Sequence, residues 1–367
     1  MKMAGLYIHI PFCRSRCIYC GFYSTTELEL RQRYVETICK EMNMVCQKSP
    51  VKTIYLGGGT PSQLSFSQLQ QIFDAAYIYN KVEDAAEVTI ECNPDDVTKD
   101  FSEELRQLPI NRVSMGVQTF SDKRLRFLHR RHTSSQVFDA VKRLRDSGIQ
   151  NISIDLMYGF PKETLSEWED DIDKALSLEA EHLSAYCLMI EEGTPLYRMQ
   201  TEPIDEELER LMYERLIDKL AAAGYEHYEI SNFARPGFRS RHNSSYWDGT
   251  PYLGIGAAAH SYDIRSRSWN VADIRQYIKG IEQGKRIFEE ELIDENTRYN
   301  DTITVALRTR EGVCLDLLSE KHKDYCLKNA QRFIDDGLLH TNNHQLALTR
   351  KGLFVSDMIM SELVWID

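Results

Sequence analysis

The stretch "LYIHIPFCRSRCIYC", residues 6–20, decides the fold: a short β-rich run delivers the chain straight into a loop carrying three thiols, Cys13, Cys17 and Cys20. Five runs of the same kind follow, at 53–58 (TIYLGG), 87–92 (EVTIEC), 112–117 (RVSMGV), 151–159 (NISIDLMYG) and 182–190 (HLSAYCLMI). Several read as apolar on both faces, as the buried strands of a parallel sheet do. Helical patterns lie between them. "SSQVFDAVKRLRDSG" (134–148) sets Val137, Ala140, Val141 and Leu144 on one face and stops at Gly148. "TLSEWEDDIDKALSL" (164–178) opens with Thr164 and Glu167 at capping-box spacing, and Trp168, Ile172, Ala175 and Leu176 form its stripe. Six β-then-α units in succession predict an α/β fold around a parallel sheet, either open or curled into a barrel.

From about residue 286 the pattern changes. "LKNAQRFIDDGLLHTNNHQLALTRKGLFVSDMIMSEL" (327–363) reads as helix, short hairpin turning at Asn342–Asn343, and helix, the order of a winged-helix-like α+β domain over 286–367. Such domains often bind DNA, but a net charge of −12 disfavours nucleic acid and favours a packing or lid role. Hydrophobic content of 42% and charged content of 27% are those of a soluble globular protein, and 367 residues suit about two domains. No run reaches the length of a membrane span, and the start of the chain lacks the apolar core and cleavage site of a signal peptide. The cysteines number nine, and six of them are scattered, which argues against a disulfide framework and for a reducing cytoplasm.

CxxxCxxC is compact enough for one loop to wrap all three thiolates around one metal centre. A structural zinc wants a fourth ligand, which His9 offers. An iron–sulfur cluster held by three cysteines instead keeps one iron open to a substrate. Zinc knuckles usually come in pairs, and no second knuckle is present. Chance clustering of free thiols is the remaining reading.

Other motifs stand at strand ends. "GGGTP" (57–61) closes the second run, and glycines there let backbone approach a ligand. Glu91, in "ECNPDD" (91–96), is an acid in an apolar run, costly to bury unless an arginine or a cationic ligand offsets it. Gln118 ends the fourth run, Asp155 sits late in the fifth, and Arg130 follows in "LHRRH". Each alone has a structural reading. Together they set polar groups at the C-terminal edge of successive strands, where α/β barrels and open α/β sheets build their sites.

The cysteine motif after the first strand, with Tyr19 and Phe22 around its last thiol, resembles that of the radical S-adenosylmethionine enzymes. The resemblance implies a 4Fe-4S cluster on Cys13, Cys17 and Cys20. In that family the open iron chelates S-adenosylmethionine, whose reductive cleavage yields a deoxyadenosyl radical. More narrowly, "YIHIPFC", "GGGTPS", "ECNPDDVT", "RVSMGVQTF", "IDLMYGFPKET", "YEISNFARPG" and "HNSSYWDGTPYLGIGAAAHS" are similar to the oxygen-independent coproporphyrinogen III oxidase group over nearly the whole chain. That likeness implies a partial (β/α)6 TIM-like barrel over 1–285, open at one side, since no clear seventh or eighth unit is visible, with the group's C-terminal domain over 286–367. It also implies that Tyr7, Gly58, Gly59, Thr60, Glu91, Gln118, Arg130, Asp155 and Met189 contact S-adenosylmethionine.

Two departures divide the group. The oxidases carry a further cysteine two positions after the third, where this chain has Phe22, and an extension before the cysteines, where this chain has twelve residues. Both features resemble the HemW-like haem-chaperone branch, which binds haem, passes it to apo-haemoproteins and keeps the cluster and S-adenosylmethionine. "HNSSYW" (242–247) fits a pattern tied to haem in that branch, which implies His242 as an iron ligand; more blandly, it is a packed loop. The arginines of "RPGFRSRHN" (235–243) are candidates for the haem propionates or are simply solvated. A haem chaperone is therefore expected, served by an electron donor, with peripheral membrane contact left open. The alternatives are a coproporphyrinogen III oxidase acting by radical decarboxylation of propionates and a zinc-stapled recognition protein.

Overall fold

The computed structural model describes residues 4–342 and 344–366; Asn343, half of the expected hairpin turn, lies outside them, as do the first three residues and the last. Six strands form the centre: β1 (Gly5–Ile10), β2 (Pro50–Gly58), β3 (Lys81–Cys92), β4 (Arg112–Gln118), β5 (Asn151–Tyr158) and β6 (His182–Cys187). They pair in sequence order, all parallel. Helices return the chain between them, among them Arg31–Val45, Phe66–Tyr79, Ser134–Asp146 and Leu165–Ser177. The last opens on the Thr164–Glu167 capping box, closed in both directions.

The sheet is larger than six strands. β7 (Glu226–Glu229) and β8 (Asn232–Ala234) add antiparallel to β6, while β9 (Tyr252–Ile255), β10 (His260–Tyr262), β11 (Ser266–Asn270) and β12 (Phe288–Leu292) extend the β1 side. Twelve strands result, with β12 and β7 at open edges. β9 runs parallel to β1, so a seventh parallel strand exists where the sequence suggested none. Its glycines hid it. Gly weakens the signal of a strand, but a Cβ on Gly254 would strike the His260 carbonyl, and one on Gly256 (φ +104°) would meet the His9 carbonyl oxygen at 2.7 Å.

The strands are also not apolar on both faces. They alternate, Met157 at the end of β5 apart. Leu6, Ile8 and Ile10, Ile54 and Leu56, Val88 and Ile90, Val113, Met115 and Val117, and Ile152, Ile154 and Leu156 are buried in one core beneath the helices. The opposite face carries Tyr7 and His9, Thr53 and Tyr55, Thr89 and Glu91, Arg112 and Ser114, Ser153 and Asp155, then His182 and Ser184. Successive residues of a strand point to opposite faces, so curling this sheet encloses a polar lumen.

A second core belongs to the tail. Tyr299, Ile303, Phe333, Leu339, Leu346, Ile359 and Leu363 pack together. They join helices Glu295–Ala306, Glu320–Asp335 and Ser356–Leu363 to a three-stranded antiparallel sheet of β13 (Val313–Cys314), β14 (Leu339–Thr341) and β15 (Gln345–Leu348) in the order β13-β15-β14, a winged-helix-like arrangement. Because β12 (Phe288–Leu292) hydrogen-bonds to β11 of the large sheet, we propose a division after Leu292 rather than at 285/286. The tail docks beside β7: Ile230 N–H donates to the Arg308 carbonyl (2.9 Å) and Arg310 N–H to that of Tyr228 (3.0 Å).

The strands added beside β1 are tied down by one buried carboxylate. Glu41, on helix Arg31–Val45, accepts from Tyr277 Oη (2.6 Å), Gly256 N (2.9 Å), Asn270 Nδ2 (2.7 Å) and Arg286 Nε (3.1 Å). Removing it leaves the Tyr277 hydroxyl and the Gly256 amide without their acceptor and the half-buried Arg286 charge without its anion. Glu41→Ala is therefore expected to cost about 3 kcal/mol of stability in urea unfolding; a loss below about 1 kcal/mol would show that the knot is dispensable.

Candidate functional site

The cysteine loop is pinned at two points. Phe12 is buried against Tyr34 (ring centroids 5.4 Å apart, edge-on), and Cys13 N–H donates to the Thr25 carbonyl (2.9 Å). Ile18 sits in a small separate cluster with Leu128, Met157, Phe160, Leu188 and Leu196. The sequence FCRSRCI thus alternates anchors with thiols, and the thiols stay half-exposed at the C-terminal mouth of the strands. Cys13 Sγ lies 3.6 Å from Thr60 Oγ1, and Arg130 Nη1 donates to Cys17 Sγ (3.7 Å). Burial pushes the Cys13 and Cys20 thiols up, so a metal must displace their protons. Among the described residues, no three His, Cys, Asp or Glu side chains converge as they would on a single ion.

His9 does not supply a fourth ligand. Its Nδ1 pairs with Tyr7 Oη and its Nε2 with the Tyr23 carbonyl, each at 3.0 Å, and burial lowers its pKa to about 4. It lies instead against Gly58 (φ +113°), where a Cβ would collide with the imidazole ring. Gly59 is equally confined, a Cβ there meeting the Pro11 carbonyl carbon at 2.7 Å. The glycine run therefore serves close packing of β1 on β2 at the mouth.

The other expected residues, Met189 and His242 apart, assemble at the mouth and upper lumen. Glu91 accepts from Tyr55 Oη (2.7 Å) and Gly58 N (3.0 Å); burial, reinforced by the Asp155 charge, lifts its pKa to about 7. Tyr7 stacks on Tyr55 at 6.2 Å. Asp155 accepts from Ser114 Oγ (3.3 and 3.4 Å), and burial lifts it to about 6 against the Arg112 charge. Gln118 (φ +70°) ends β4 at a bulge whose extra residue turns the strand out of register. Arg130 donates to Asn93 Oδ1 (2.5 Å) and to the Gly116 carbonyl, while Thr60 Oγ1 accepts from Asn93 Nδ2 (3.4 Å). Met189 stands apart, 66% exposed beyond the end of β6.

His242 is not placed for iron. It lies in helix Arg241–Trp247, 1% exposed, with Nδ1 against Thr53 Oγ1 (2.8 Å) and Nε2 against Tyr246 Oη (2.9 Å). It stacks on Tyr55 (5.0 Å, 21°), and burial lowers its pKa to about 3. "HNSSYW" thus closes the lumen from below. The neighbouring arginines are committed too: Arg235 lies over the Tyr225 ring, Arg239 binds Glu226 and Glu311, and Arg241 Nη1 donates to the Ala85 carbonyl.

Three lumen residues escaped the sequence reading: Tyr55, Arg112 and His182, the last held between Ser153 Oγ and Tyr228 Oη (2.7 Å each). Their signal was a polar residue at every second position of otherwise apolar runs.

A half-exposed cysteine triad on the loop after the first of six parallel strands defines a radical S-adenosylmethionine architecture. The family model for the Radical SAM superfamily matches residues 7–175, and that for the HemN C-terminal domain matches 293–355. The haem chaperone HemW of Lactococcus lactis is 34% identical over 375 residues, covering 100% of this chain and 98% of that one. HemW of Bacillus subtilis is 35% identical, covering 97% and 98%. Among solved structures, coproporphyrinogen III oxidase (HemN) from Escherichia coli matches with a TM-score of 0.87 over 99% of this chain and 90% of that one, at 22% identity, which speaks to fold. This chain belongs to the HemW haem-chaperone family.

The raised Glu91 pKa has a consequence for stability. Without a ligand, folded Glu91 holds its proton up to about pH 7, whereas its ordinary value is 4.5; Asp155 shifts the same way, from 3.8 to about 6. The folded state then binds more protons than the unfolded one between these values, so stability falls as pH rises through that interval. Urea midpoints of the cofactor-free chain are expected to drop from about pH 5 to about pH 8, and to drop less in Glu91→Gln. An identical drop in both proteins contradicts the assignment.

Proposed function

We propose that this protein is a cytoplasmic haem chaperone: it binds haem and hands it to apo-haemoproteins while holding a 4Fe-4S cluster on Cys13, Cys17 and Cys20. The observation that carries this reading is near-full-length likeness to HemW chaperones, joined to Phe22 at the position of the oxidases' extra cysteine. Phe22 is 72% exposed beside the triad, so an apolar ring stands where a thiol would be needed.

The donor set suits a cluster. Three thiols share one loop, Cys13 feeling the charge of Cys17 and Cys20 that of both, and Arg130 offers a guanidinium beside Cys17 that offsets sulfur charge. A cubane spreads its ligands over several irons, so it does not ask for convergence on one point. When S-adenosylmethionine is bound, it supplies carbon–sulfur bond chemistry driven by an electron from a donor. The protein's part is binding. Gly58 and Gly59, half-buried, put no side chain into the mouth, Thr60 and Arg130 flank the thiols, Tyr7 and Glu91 offer a ring and a carboxylate, and Gln118 and Asp155 offer polar groups for hydroxyls. Met189 and His242 are left out of this assignment because one is exposed at the rim and the other has both nitrogens engaged.

Anaerobic reconstitution followed by haem titration tests the reading. Saturable haem absorbance is expected, with transfer to an apo-haemoprotein, and Cys17→Ala is expected to lose the cluster's iron and charge-transfer absorbance. Absence of haem binding by the reconstituted chain overturns the chaperone reading. Turnover of coproporphyrinogen III at an oxidase's rate would favour the decarboxylase in its place.

A further inference from the structure

At the floor of the lumen lies a charge that no assigned role uses. Arg112 opens β4, is 1% exposed, and is among the largest fully buried side chains of the protein. Its Nε and Nη1 have no hydrogen-bond partner. In register it faces Thr89 on β3 and Asn151 on β5, and Thr89 Oγ1 and Asn151 Oδ1 are also unpartnered. Four buried polar atoms on three adjacent strands are thus left open, whereas such atoms are ordinarily paired.

The register says what stands above them. Thr89 precedes Glu91 by two residues on the same face, and Arg112 likewise precedes Ser114, whose hydroxyl binds Asp155. Two residues span about 7 Å of strand, so the guanidinium lies one layer beneath Glu91, while Asp155, opposite Gly116, stands a layer higher and reaches down to Ser114 Oγ, and the charges act on one another across this depth. The titratable groups that feel Arg112 are Tyr55, Glu91, Asp155, His182, Tyr228 and His242, and Glu87, two residues before Thr89 on the same face of β3, is a further buried carboxylate beneath it, bound to the Arg241 and His242 amides. Burial and Arg112 itself keep both histidines neutral. The guanidinium is therefore the cation at this depth, and a buried cation without a direct ion pair is tolerated only where nearby anions offset it.

We infer that Arg112 is a positioning residue for the ligand site above it: its charge favours the ionised forms of Glu91 and Asp155 against their burial, and so readies them for a cationic sulfonium ligand. Without it the two carboxylates, close together and enclosed, take up protons, and a neutral carboxyl does not attract a cation. At alkaline pH both ionise regardless, and the lumen, stripped of a positive charge, holds a cation at least as well. A change at Arg112 thus makes ligand affinity depend on pH with a crossing profile, which a merely structural lesion would not do.

The inference rests on S-adenosylmethionine occupying the lumen. The experiment is calorimetric titration of the cluster-reconstituted full chain with S-adenosylmethionine from about pH 6 to about pH 9. Arg112→Gln is expected to bind about tenfold more weakly than wild type at the acid end, the equivalent of about one unit in carboxylate pKa, and no more weakly at the alkaline end. Arg112→Lys, which keeps the charge, is expected to restore the wild-type profile. A loss uniform across pH, no loss at any pH, or failure of lysine to rescue overturns the inference. If Arg112→Gln does not fold, Arg112→Met takes its place. If wild type binds no S-adenosylmethionine, the reading beneath fails instead. Infrared titration of the ligand-free chain then decides the matter for Arg112, with the carboxyl signals assigned by Glu91→Gln and Asp155→Asn. Both signals titrate at higher pH in Arg112→Gln if the inference holds, and unmoved signals overturn it.

Discussion

The structure depends on one constraint: the parallel sheet buries both faces, and only one of them is apolar. The helix side is an ordinary core of Leu, Ile and Val. The lumen side encloses three carboxylates (Glu87, Glu91, Asp155), a guanidinium, three histidines (His9, His182, His242) and several hydroxyls. Enclosed polar groups must find partners inside. Tyr55 and the Gly58 amide take Glu91, Ser114 takes Asp155, and Ser153 with Tyr228 takes His182. These bonds fix the strand faces and leave an interior that is polar and partly unsatisfied, which is what a bound polar cofactor requires.

The mouth follows from the same constraint. Anchored by Phe12 and Ile18, the cysteine loop holds its thiols over the C-terminal ends of β1 to β4. Gly58 and Gly59 are there because His9 and Pro11 leave no room for a side chain. At the other end, helix Arg241–Trp247 closes the floor through His242, Thr53 and Tyr246. The residue that looked most like a haem ligand is part of this closure, with both ring nitrogens hydrogen-bonded. Among the described residues no helix is long and apolar enough to cross a membrane.

Much of this was legible in the amino-acid order. The cysteine spacing, the six runs and the Thr164 cap each rest on local chemistry that a sequence displays directly. The winged-helix-like tail was visible as helix, hairpin and helix, although β12 before it turned out to belong to the large sheet. Hidden features depended on contacts distant in sequence. β9 went unread because Gly254 and Gly256 answer to His260 and His9, far from any apolar alternation. His9 and His242 looked like ligands because nothing local announces that Tyr7, Tyr23, Thr53 and Tyr246 occupy their nitrogens. Arg112 was passed over because its environment is made by its neighbours on β3 and β5.

The central claim is that the vacancy left by three cysteines opens toward the lumen and is filled there by S-adenosylmethionine. Electron–nuclear double resonance on the reduced, reconstituted protein tests this most directly, using S-adenosylmethionine labelled in its amino nitrogen and carboxylate oxygens. The account predicts hyperfine coupling of both labels to the cluster in the wild type. A fully reduced cluster with coupling from neither label would contradict it.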